Sequence, residues 1–476
     1  MDRRRFVTLS SAAAANAALS RNGRAQPIPT VQLQDPLASP KLMPVDFTGL
    51  SYETGQLYNA DFFSPQNTAL IAAFRGLTRN GVLRLGGHLS NITPWEGVGR
   101  DDPKQIRGVR HGIEDYWEWP LVDPVVQHHR QGMITRRCLE NLRGFLDAVN
   151  WRLIYGLNFA CGSAARAADE AAAVSAIMGD RLIAFVIGNE PDGFGEDPFF
   201  RDKKYNFDQY IAEYETWVKA VHAKTSNAPF AGPDTEGKVD TWVKNYAEHT
   251  KGNAVMLTSH FYAMGPASDP SMTAERLLQK VNPGLEAQIA AVLSIAAATG
   301  TTYRMDEGNS CFGGGKDGVS NAYASALWVA DYMLHVACAG FIGVNLHGGG
   351  TGFYAPIESS DHSPATPRPM YYGMQFAQQF AEHKLAPCPI KTSENISAYL
   401  AVKGGQTKLA AINKSSNPIQ IALPRSLSAK PVTERWTLSG PSLSAKDGVH
   451  FARNSPPEAF PLNEVPAYSA VILELG

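Results

Sequence analysis

Two glutamates in this sequence each follow a short run of residues that is typical of a buried β-strand. Glu190 follows the run 182–188, and Glu307 follows the run 301–306. Two carboxyl groups at the ends of different strands are what the hydrolysis of a glycosidic bond requires. One donates a proton to the leaving oxygen, and the other attacks the sugar carbon or activates a water. The alternative interpretation is that both glutamates are ordinary surface acids.

Strand-like and helix-like segments alternate along most of the chain. Eight such alternations predict a parallel (β/α)8 barrel over residues 40–384. The alternative is a doubly wound open sheet, but the glycine-rich fingerprint that would follow its first strand is missing. The predicted strands span residues 45–53, 82–87, 152–158, 182–189, 229–234, 255–262, 302–306 and 341–347.

Many of the predicted strands end in a polar residue. Barrel enzymes build their sites from the C-terminal ends of the strands, so these residues are candidates for one shared site. A single polar strand end would carry no information, but many together are hard to explain by packing alone. They are Glu53, His88, Asn158, Glu190, Asp234, His260, Glu307 and His347.

Two further regions stand apart from the alternation. After residue 385, apolar and polar residues alternate between turn residues, which predicts an antiparallel β-sandwich over 385–476, and a strand within 28–35 is a candidate to join it. The stretch 93–130 contains Trp95, Trp117 and Trp119 and follows the second predicted strand. Its two interpretations are a lid or subsite wall and a structural insertion.

Composition excludes some classes of partner. Lys and Arg number 43 and Asp and Glu 45, for a net charge of -2, so there is no basic surface of the kind that nucleic acid requires. No Walker loop, zinc motif or Gly-x-Ser-x-Gly elbow is present, and we predict neither a cofactor nor a metal. No two of the five cysteines have the short spacing of a metal site or a redox pair. We expect the cysteines to be small buried side chains, and a disulfide between two of them is the alternative.

The first 25 residues have the pattern of a twin-arginine export signal. Three arginines and Phe6 precede an Ala-rich, mildly apolar stretch from Val7 to Leu19, and cleavage is expected after Ala25. The alternative is a disordered basic N-terminus. Export would place the protein in the periplasm or outside the cell. No membrane insertion is predicted after removal of the signal, because no apolar stretch approaches the length of about 20 residues that a span takes.

Three of the polar segments resemble a known family. Residues 187–191, 259–262 and 307–315 read Ile-Gly-Asn-Glu-Pro, Ser-His-Phe-Tyr and Glu-Gly-Asn-Ser-Cys-Phe-Gly-Gly-Gly. They resemble glycoside hydrolase family 79, which contains bacterial β-glucuronidases and heparanases, and the resemblance extends over roughly residues 40–476. Asn-Glu-Pro belongs to the wider clan of retaining barrel glycosidases. The Glu-x-x-Ser-x-aromatic-Gly-Gly-Gly run is more specific to the family.

The resemblance implies different roles for the two glutamates. Glu190 corresponds to the general acid/base, and Glu307 to the nucleophile, which accepts a hydrogen bond from Tyr262. Asn189 would hold the sugar 2-hydroxyl, a contact that strengthens in an oxocarbenium-like transition state, and His260 is placed among the substrate-binding residues. The structural alternatives are a strand-end cap for Asn189 and a core aromatic for Tyr262.

The resemblance also implies how a sugar carboxylate would be recognised. The backbone amides of Cys311 and Phe312 and the hydroxyl of Tyr354 would bind it, and the glycines at 313–315 would permit the φ > 0 turns of such a loop. A phosphate-binding loop is the rival interpretation, but the Lys-Ser/Thr that would follow is missing. Glu53 resembles a residue that contacts hydroxyls on the far side of the sugar.

Two residues depart from the family pattern. Phe312 stands where relatives carry a tyrosine, which puts the specificity in doubt only if that hydroxyl binds substrate. His88 replaces a smaller polar residue at the end of the second strand, where it either reshapes the pocket floor or is a satisfied structural histidine.

The leading hypothesis is a secreted, retaining exo-β-glucuronidase. It would release terminal glucuronic acid, with or without a 4-O-methyl group, from glycoconjugates or oligosaccharides. The alternatives are a heparanase-like endo-acting enzyme, another β-glycosidase of the same clan, and a noncatalytic carbohydrate-binding protein on a barrel scaffold. The sequence leaves the oligomeric state open.

Overall fold

The computed structural model describes residues 28–96, 133–196, 200–360, 363–454 and 463–476 of the 476-residue chain. The predicted export signal at 1–25 lies outside the described residues. So does most of the tryptophan-containing stretch, of which Trp95 is described.

A closed barrel of eight parallel strands forms the larger part of the fold, as predicted. Two short strands, β1 (Thr30–Gln32) and β2 (Lys41–Leu42), precede it. Around the barrel the order is β10-β3-β4-β5-β6-β7-β8-β9. The barrel strands are β3 (Thr48–Glu53), β4 (Gly81–Gly86), β5 (Trp151–Leu157), β6 (Leu182–Ile187), β7 (Phe230–Thr235), β8 (Ala254–Met264), β9 (Tyr303–Cys311) and β10 (Gly343–His347).

The seventh barrel strand is longer than its sequence predicts. We expect a strand that ends before Glu307, but β9 continues to Cys311, which pairs with Met264 of β8. The residues that extend β9 are polar and lack the apolar run that marks the other strands. Backbone pairing with β8 holds this segment in strand conformation, so Glu307 lies within a strand rather than at its end.

Helices surround the barrel and carry caps that their sequences specify. The side chains of Asn67, Thr135 and Asn206 accept hydrogen bonds from first-turn amides, and Gly300 ends a helix in the left-handed conformation. Among the described helices, none combines the length and apolarity that crossing a bilayer requires. The helices are α1 (Thr68–Leu77), α2 (Arg136–Val149), α3 (Ala164–Met178), α4 (Phe207–Lys224), α5 (Lys244–His249), α6 (Ala274–Leu277), α7 (Pro283–Thr299), α8 (Tyr323–Ala339) and α9 (Pro369–Gln378).

The C-terminal residues form a smaller β-domain. A seven-stranded sheet has the order β18-β17-β20-β15-β14-β13-β2, and a three-stranded sheet has the order β1-β16-β19. A hairpin of β11 (Ile357–Ser360) and β12 (Ser363–Pro367) precedes them. The remaining strands are β13 (Lys384–Pro387), β14 (Ile396–Lys403), β15 (Gln406–Asn413), β16 (Ile419–Ala422), β17 (Val432–Ser439), β18 (His450–Arg453), β19 (Glu464–Val465) and β20 (Ser469–Leu475).

Segments from before the barrel contribute to both sheets of this domain. β1 pairs in parallel with β16, and β2, which lies within the range predicted for the barrel, pairs with β13. Val31, Leu33 and Ile421 belong to one buried apolar cluster of the β-domain. α8 is buried along most of its length because it packs between the barrel and the large sheet.

Candidate active site

A bulge in β9 turns two consecutive acidic residues toward the inside of the barrel. Met305 lies opposite Ser259 and Glu307 lies opposite His260, so Asp306 is an extra residue in β9. Successive side chains of a regular strand point to opposite faces, and a bulge removes this alternation. As a result, Asp306 and Glu307 both face the barrel interior.

A second bulge lies in β7, on the other side of β8. Pro233 pairs with Thr258 and Thr235 pairs with Ser259, which leaves Asp234 as the extra residue. Asp234 has a φ of 63°, a left-handed conformation that aspartate tolerates better than most residues. The bulge directs the Asp234 side chain into the same interior layer.

Arg84 of β4 lies at the centre of these acids and is 1% exposed. Its Nη1 donates to Glu307 Oε2 and, over 3.0 Å, to Ser51 Oγ. Its Nη2 donates to Asn189 Oδ1 over 2.8 Å and to Asp234 Oδ2 over 2.5 Å. Sequence reasoning did not single out Arg84. The available signal was a charged residue in the middle of an otherwise apolar strand, where only a paired charge is tolerated.

Glu307 is surrounded by groups that stabilise its negative charge. Tyr262 donates to Oε1 over 2.8 Å, Arg84 donates to Oε2, and His347 Nδ1 lies 3.5 Å from Oε2. Burial opposes ionisation, but the positive charges of His347, His260 and Arg84 outweigh it and hold the pKa of Glu307 well below its usual range. The side chain is therefore suited to act as an ionised nucleophile.

Glu190 lies just beyond the end of β6, at the mouth of the barrel. Its φ of 52° is uncommon for a residue other than glycine, and its amide donates to the carbonyl of Asp234 over 2.8 Å. Oε1 lies 2.7 Å from Nδ1 of His260, and Oε2 lies 3.6 Å from Nε2 of His88. The side chain is 15% exposed, so one edge of this carboxyl remains open to a ligand.

The two glutamates face each other across a short gap. A carboxylate oxygen of Glu190 and one of Glu307 lie within 4.8 Å of each other. Arg84 engages the carboxyl of Glu307, and that of Glu190 is partly open, so the pair can hold an ionised group and a proton donor on either side of one bond.

His260, predicted to bind substrate, lies behind Glu190 in the barrel interior. The imidazole is fully buried, with Nδ1 against Glu190 and Nε2 at 3.5 Å from Asp234 Oδ1 and 3.3 Å from Arg84 Nη2. Burial lowers its pKa, but the charges of Glu307 and Asp234 outweigh burial and raise the pKa of His260 well above its usual value. The side chain has no exposed surface, and its contact on the side of the barrel mouth is Glu190.

Asn189 presents a hydrogen-bond donor to the site. Its backbone is held from both sides by the Asn91 side chain, at 3.1 Å and 2.9 Å, and Arg84 binds its Oδ1. Its Nδ2 is buried and finds no acceptor within the described part of the chain. Since buried polar groups normally have partners, this donor is suited to a ligand hydroxyl.

Glu53 lies next to His347, which in turn lies next to Glu307. Glu53 Oε2 accepts the Leu89 amide over 2.8 Å, and its Oε1 lies 3.6 Å from His347 Nε2. Gly87, with a φ of 72°, passes so close that a Cβ there would lie 2.3 Å from Glu53 Oε2. Only glycine fits at this position. The sequence marks His347 only as one of several polar residues at strand ends.

The glycine loop after β9 differs from the predicted arrangement in one respect. Gly313, Gly314 and Gly315 have φ values of 80°, 85° and 80°, as the expected turns require. The Phe312 amide, however, donates to the Met264 carbonyl over 3.1 Å, so this amide is not available for the sugar carboxylate. Extension of the β8–β9 ladder is the physical reason.

Other groups of this loop remain candidates for anion binding. The amides of Gly313, Gly314 and Gly315 find no acceptor among the residues described. Cys311 is fully buried at the end of β9, and all five cysteines are free thiols. The Tyr354 ring lies beside those of Tyr262 and His347, with centroids 6.4 Å and 5.7 Å away. The structure therefore brings Tyr354 to the site.

Within the described ranges of the chain, two groups of side chains have the spacing of metal ligands. They are Glu190, His260 and Glu307, and Asp234, His260 and Asp306. Both groups share His260, and Arg84 already contacts Glu307 and Asp234. A metal ion would have to displace this guanidinium, so the donors fit a hydrogen-bonded ion network better than a metal site.

Known proteins resemble this chain in sequence. No family model matches it. A β-glucuronidase from Neurospora crassa is 25% identical over 354 residues, 63% of each chain. Heparanase-like protein 3 from Arabidopsis thaliana is 23% identical over 308 residues, 60% of this chain and 53% of that protein. The matches thus span less than two thirds of these relatives. They support the predicted resemblance to glycoside hydrolase family 79.

A solved structure resembles the fold over nearly its whole length. It is a 4-O-α-L-rhamnosyl-β-D-glucuronidase from Fusarium oxysporum 12S, with a TM-score of 0.71 and 17% identity. The match covers 93% of this chain and 99% of that one. At this identity the likeness establishes the fold alone, a parallel barrel with an added β-domain.

Proposed function

We propose that this chain, a relative of proteins named β-glucuronidase and heparanase-like protein, is a retaining exo-β-glucuronidase. It would hydrolyse terminal β-D-glucuronic acid, with or without a 4-O-methyl group, from glycoconjugates or oligosaccharides. The observation that carries the proposal is the pair Glu190 and Glu307, which lie within 4.8 Å of each other in different electrostatic surroundings.

The first step would form a covalent intermediate on Glu307. Its ionised carboxylate attacks the anomeric carbon while the bond to the leaving oxygen breaks, and Glu190 gives its proton to that oxygen. The Nδ2 of Asn189, unpartnered among the described residues, would donate to the sugar 2-hydroxyl. In the second step a water attacks the same carbon, Glu190 takes a proton from it, and Glu307 leaves as a carboxylate.

The separation of the two carboxyl groups supports retention of configuration. Retaining enzymes hold the groups about 5–5.5 Å apart, and inverting enzymes about 6.5–9.5 Å apart to make room for a water. One oxygen of Glu190 lies within 4.8 Å of one oxygen of Glu307, a spacing consistent with the first class.

Recognition of a uronic acid is supported by the glycine loop and Tyr354. Three consecutive residues of positive φ have backbone amides without an acceptor among the described residues, and such free donors suit a carboxylate. Tyr354 lies beside Tyr262, on the Glu307 side of the site. The alternatives are an endo-acting, heparanase-like enzyme and another β-glycosidase of the clan. The nearly balanced net charge of -2 favours the exo enzyme over one that binds a sulfated chain.

We also propose that the protein is exported, because Arg3, Arg4 and Arg5 precede an Ala-rich stretch. The periplasm or the cell exterior would supply glycoconjugates as substrates. A fusion of residues 1–40 to a reporter would test this, with loss of export on replacement of Arg3 and Arg4 by lysine.

A panel of p-nitrophenyl β-glycosides tests the activity. We expect release from the glucuronide and little from the glucoside, galactoside or xyloside. Release from a neutral sugar alone would contradict uronate recognition. An NMR spectrum of the first sugar formed should show the β-anomer, and an initial α-anomer would contradict retention. Oligosaccharides should lose terminal residues only, whereas internal fragments would indicate the endo alternative.

A further inference from the structure

Asp234 and Asp306 form a buried pair that the proposed mechanism does not use. Each is the extra residue of a bulge, in the two strands that flank β8. An oxygen of each lies within 4.8 Å of the other and of a His260 ring nitrogen. The two bulges bring both carboxyl groups to one histidine, which indicates a built arrangement.

The hydrogen bonds around this pair are incomplete if both aspartates are ionised. Both Asp306 oxygens and Asp234 Oδ1 are buried and meet no donor among the residues that the structure describes. A buried carboxylate without hydrogen bonds is strongly destabilising. A proton between the two aspartates would supply the missing bond.

The positions of the cations decide which aspartate carries the proton. Arg84 Nη2 lies 2.5 Å from Asp234, whereas its Nε lies 3.6 Å from Asp306. His260 Nε2 is also nearer to Asp234, at 3.5 Å against 4.0 Å. Both cations therefore stabilise a negative charge on Asp234 more than on Asp306.

We propose that Asp306 is a neutral carboxylic acid that donates its proton to Asp234, and that this pair positions His260 and, through it, Glu190. The functional part rests on the proposed role of Glu190 as acid/base. With Asp234 ionised beside Nε2, His260 stays protonated and its Nδ1–H donates to Glu190 Oε1. The transferable proton of Glu190 then resides on Oε2, the oxygen nearer His88.

The charges around the pair agree with this assignment. Burial and the neighbouring Asp234 raise the pKa of Asp306 well above its usual value. Burial acts in the same direction on Asp234, but Arg84 and His260 overcome it and hold the pKa of Asp234 far below its usual range. Several charged or titratable groups act on the pair. They are Arg84 of β4, Tyr210 of α4, Tyr246 of α5, His260 of β8, and Tyr303 and Arg304 of β9.

The pH dependence of unfolding tests the proton without any assay of activity. A native Asp306 that keeps its proton holds more protons above pH 3.8 than Asp306 of the unfolded chain, so its contribution to wild-type stability falls as pH rises from there. Asp306→Asn removes this loss. Its folding equilibrium constant relative to wild type should rise with pH above 3.8, by up to about tenfold per pH unit. A relative constant that does not change with pH above 3.8 would show an ionised Asp306 and overturn the proposal.

Asp234→Asn is the matched control and should behave oppositely. The depressed pKa of Asp234 gives wild type stability that is present above pH 3.8 and lost as pH falls below it. Relative to wild type, this variant should lose stability as pH rises toward 4 and then level off. If the relative folding equilibrium constants of the two variants changed equally with pH, the proton could not be assigned to Asp306 rather than Asp234.

Activity tests the positioning role. Asp306→Ala should lower kcat/KM on the glucuronide by at least about tenfold, because a misplaced catalytic group is costly. Asp306→Asn retains a donor for Asp234 and should restore most of this loss. Equal losses in both variants would overturn the positioning role. Should wild type cleave no glucuronide, the proposed function fails, and the unfolding measurements still decide where the proton lies.

Discussion

The Tyr262 hydroxyl donates a hydrogen bond of 2.8 Å to Glu307 Oε1, while Arg84 engages the other oxygen of the same carboxylate. The two donors come from β8 and β4, and together they fix the carboxylate plane. A nucleophile held in this way needs little reorganisation when its oxygen bonds to the sugar carbon.

Tyr262→Phe should lower kcat/KM by about 10- to 100-fold, because a hydrogen bond to a charged group contributes about 1.5–3 kcal/mol. Loss of the donor also raises the pKa of Glu307, so the acid limb of the pH profile should move to higher pH. Tyr323→Phe, which removes a buried hydroxyl between Leu438 and Tyr468, is the matched control and should leave kcat unchanged. Activity of Tyr262→Phe within twofold of wild type would refute this role.

Glu307→Gln should reduce turnover at least about 10³-fold, since an amide cannot attack the anomeric carbon. Steady-state kinetics with the p-nitrophenyl glucuronide measure the effect. Glu286→Gln changes an exposed glutamate of α7 and should match wild type. Substantial turnover by Glu307→Gln would show that the nucleophile is a different residue.

Glu190→Ala should lower kcat/KM most for substrates with poor leaving groups. A general acid contributes about 10²–10⁴-fold, and p-nitrophenolate needs that help least. Comparison of kcat/KM for p-nitrophenyl and alkyl glucuronides should therefore show the larger loss with the alkyl substrate. Azide, which needs no general base, should restore turnover of the activated substrate and form a β-glucuronyl azide. A uniform loss across leaving groups would contradict the acid/base assignment.

His347→Asn should change how stability depends on pH. Burial lowers the pKa of His347, but Glu307 and Glu53 outweigh burial, and the net shift is upward from 6.5. A raised pKa in the folded state adds stability that is fully present below pH 6.5 and lost as pH rises through the folded-state value. Denaturant unfolding between pH 5.5 and 9 should therefore show that the free energy of unfolding of wild type exceeds that of this variant by less as pH rises. A difference that grows with pH would contradict the direction of the pKa shift.

Asp331→Asn should destabilise the junction between the barrel and the β-domain. Asp331 of α8 pairs with Lys414 at 2.5 Å and accepts Tyr399 Oη over 2.6 Å, both from the β-domain. Removal of one partner of a buried pair costs about 3 kcal/mol. Glu382→Gln, in an exposed pair with Lys403, should cost less than about 1 kcal/mol. Denaturant unfolding compares the two, and kcat of folded Asp331→Asn should equal that of wild type.

The sequence by itself determined the barrel and the pair of glutamates. Apolar runs and their helical partners are local patterns, and each barrel strand lies close to its predicted place because strand identity depends on nearby residues. The motifs around Glu190 and Glu307 likewise depend on residue type at short spacing.

The tertiary structure decided what surrounds those glutamates. The bulges at Asp234 and Asp306, the engagement of the Phe312 amide by Met264 and the central position of Arg84 have no local signature. A bulge is a property of the register between two strands, and that register is set by packing of residues far apart in the chain. Sequence could name the two acids, but only the closed barrel could determine which cations lie against each and where the protons reside.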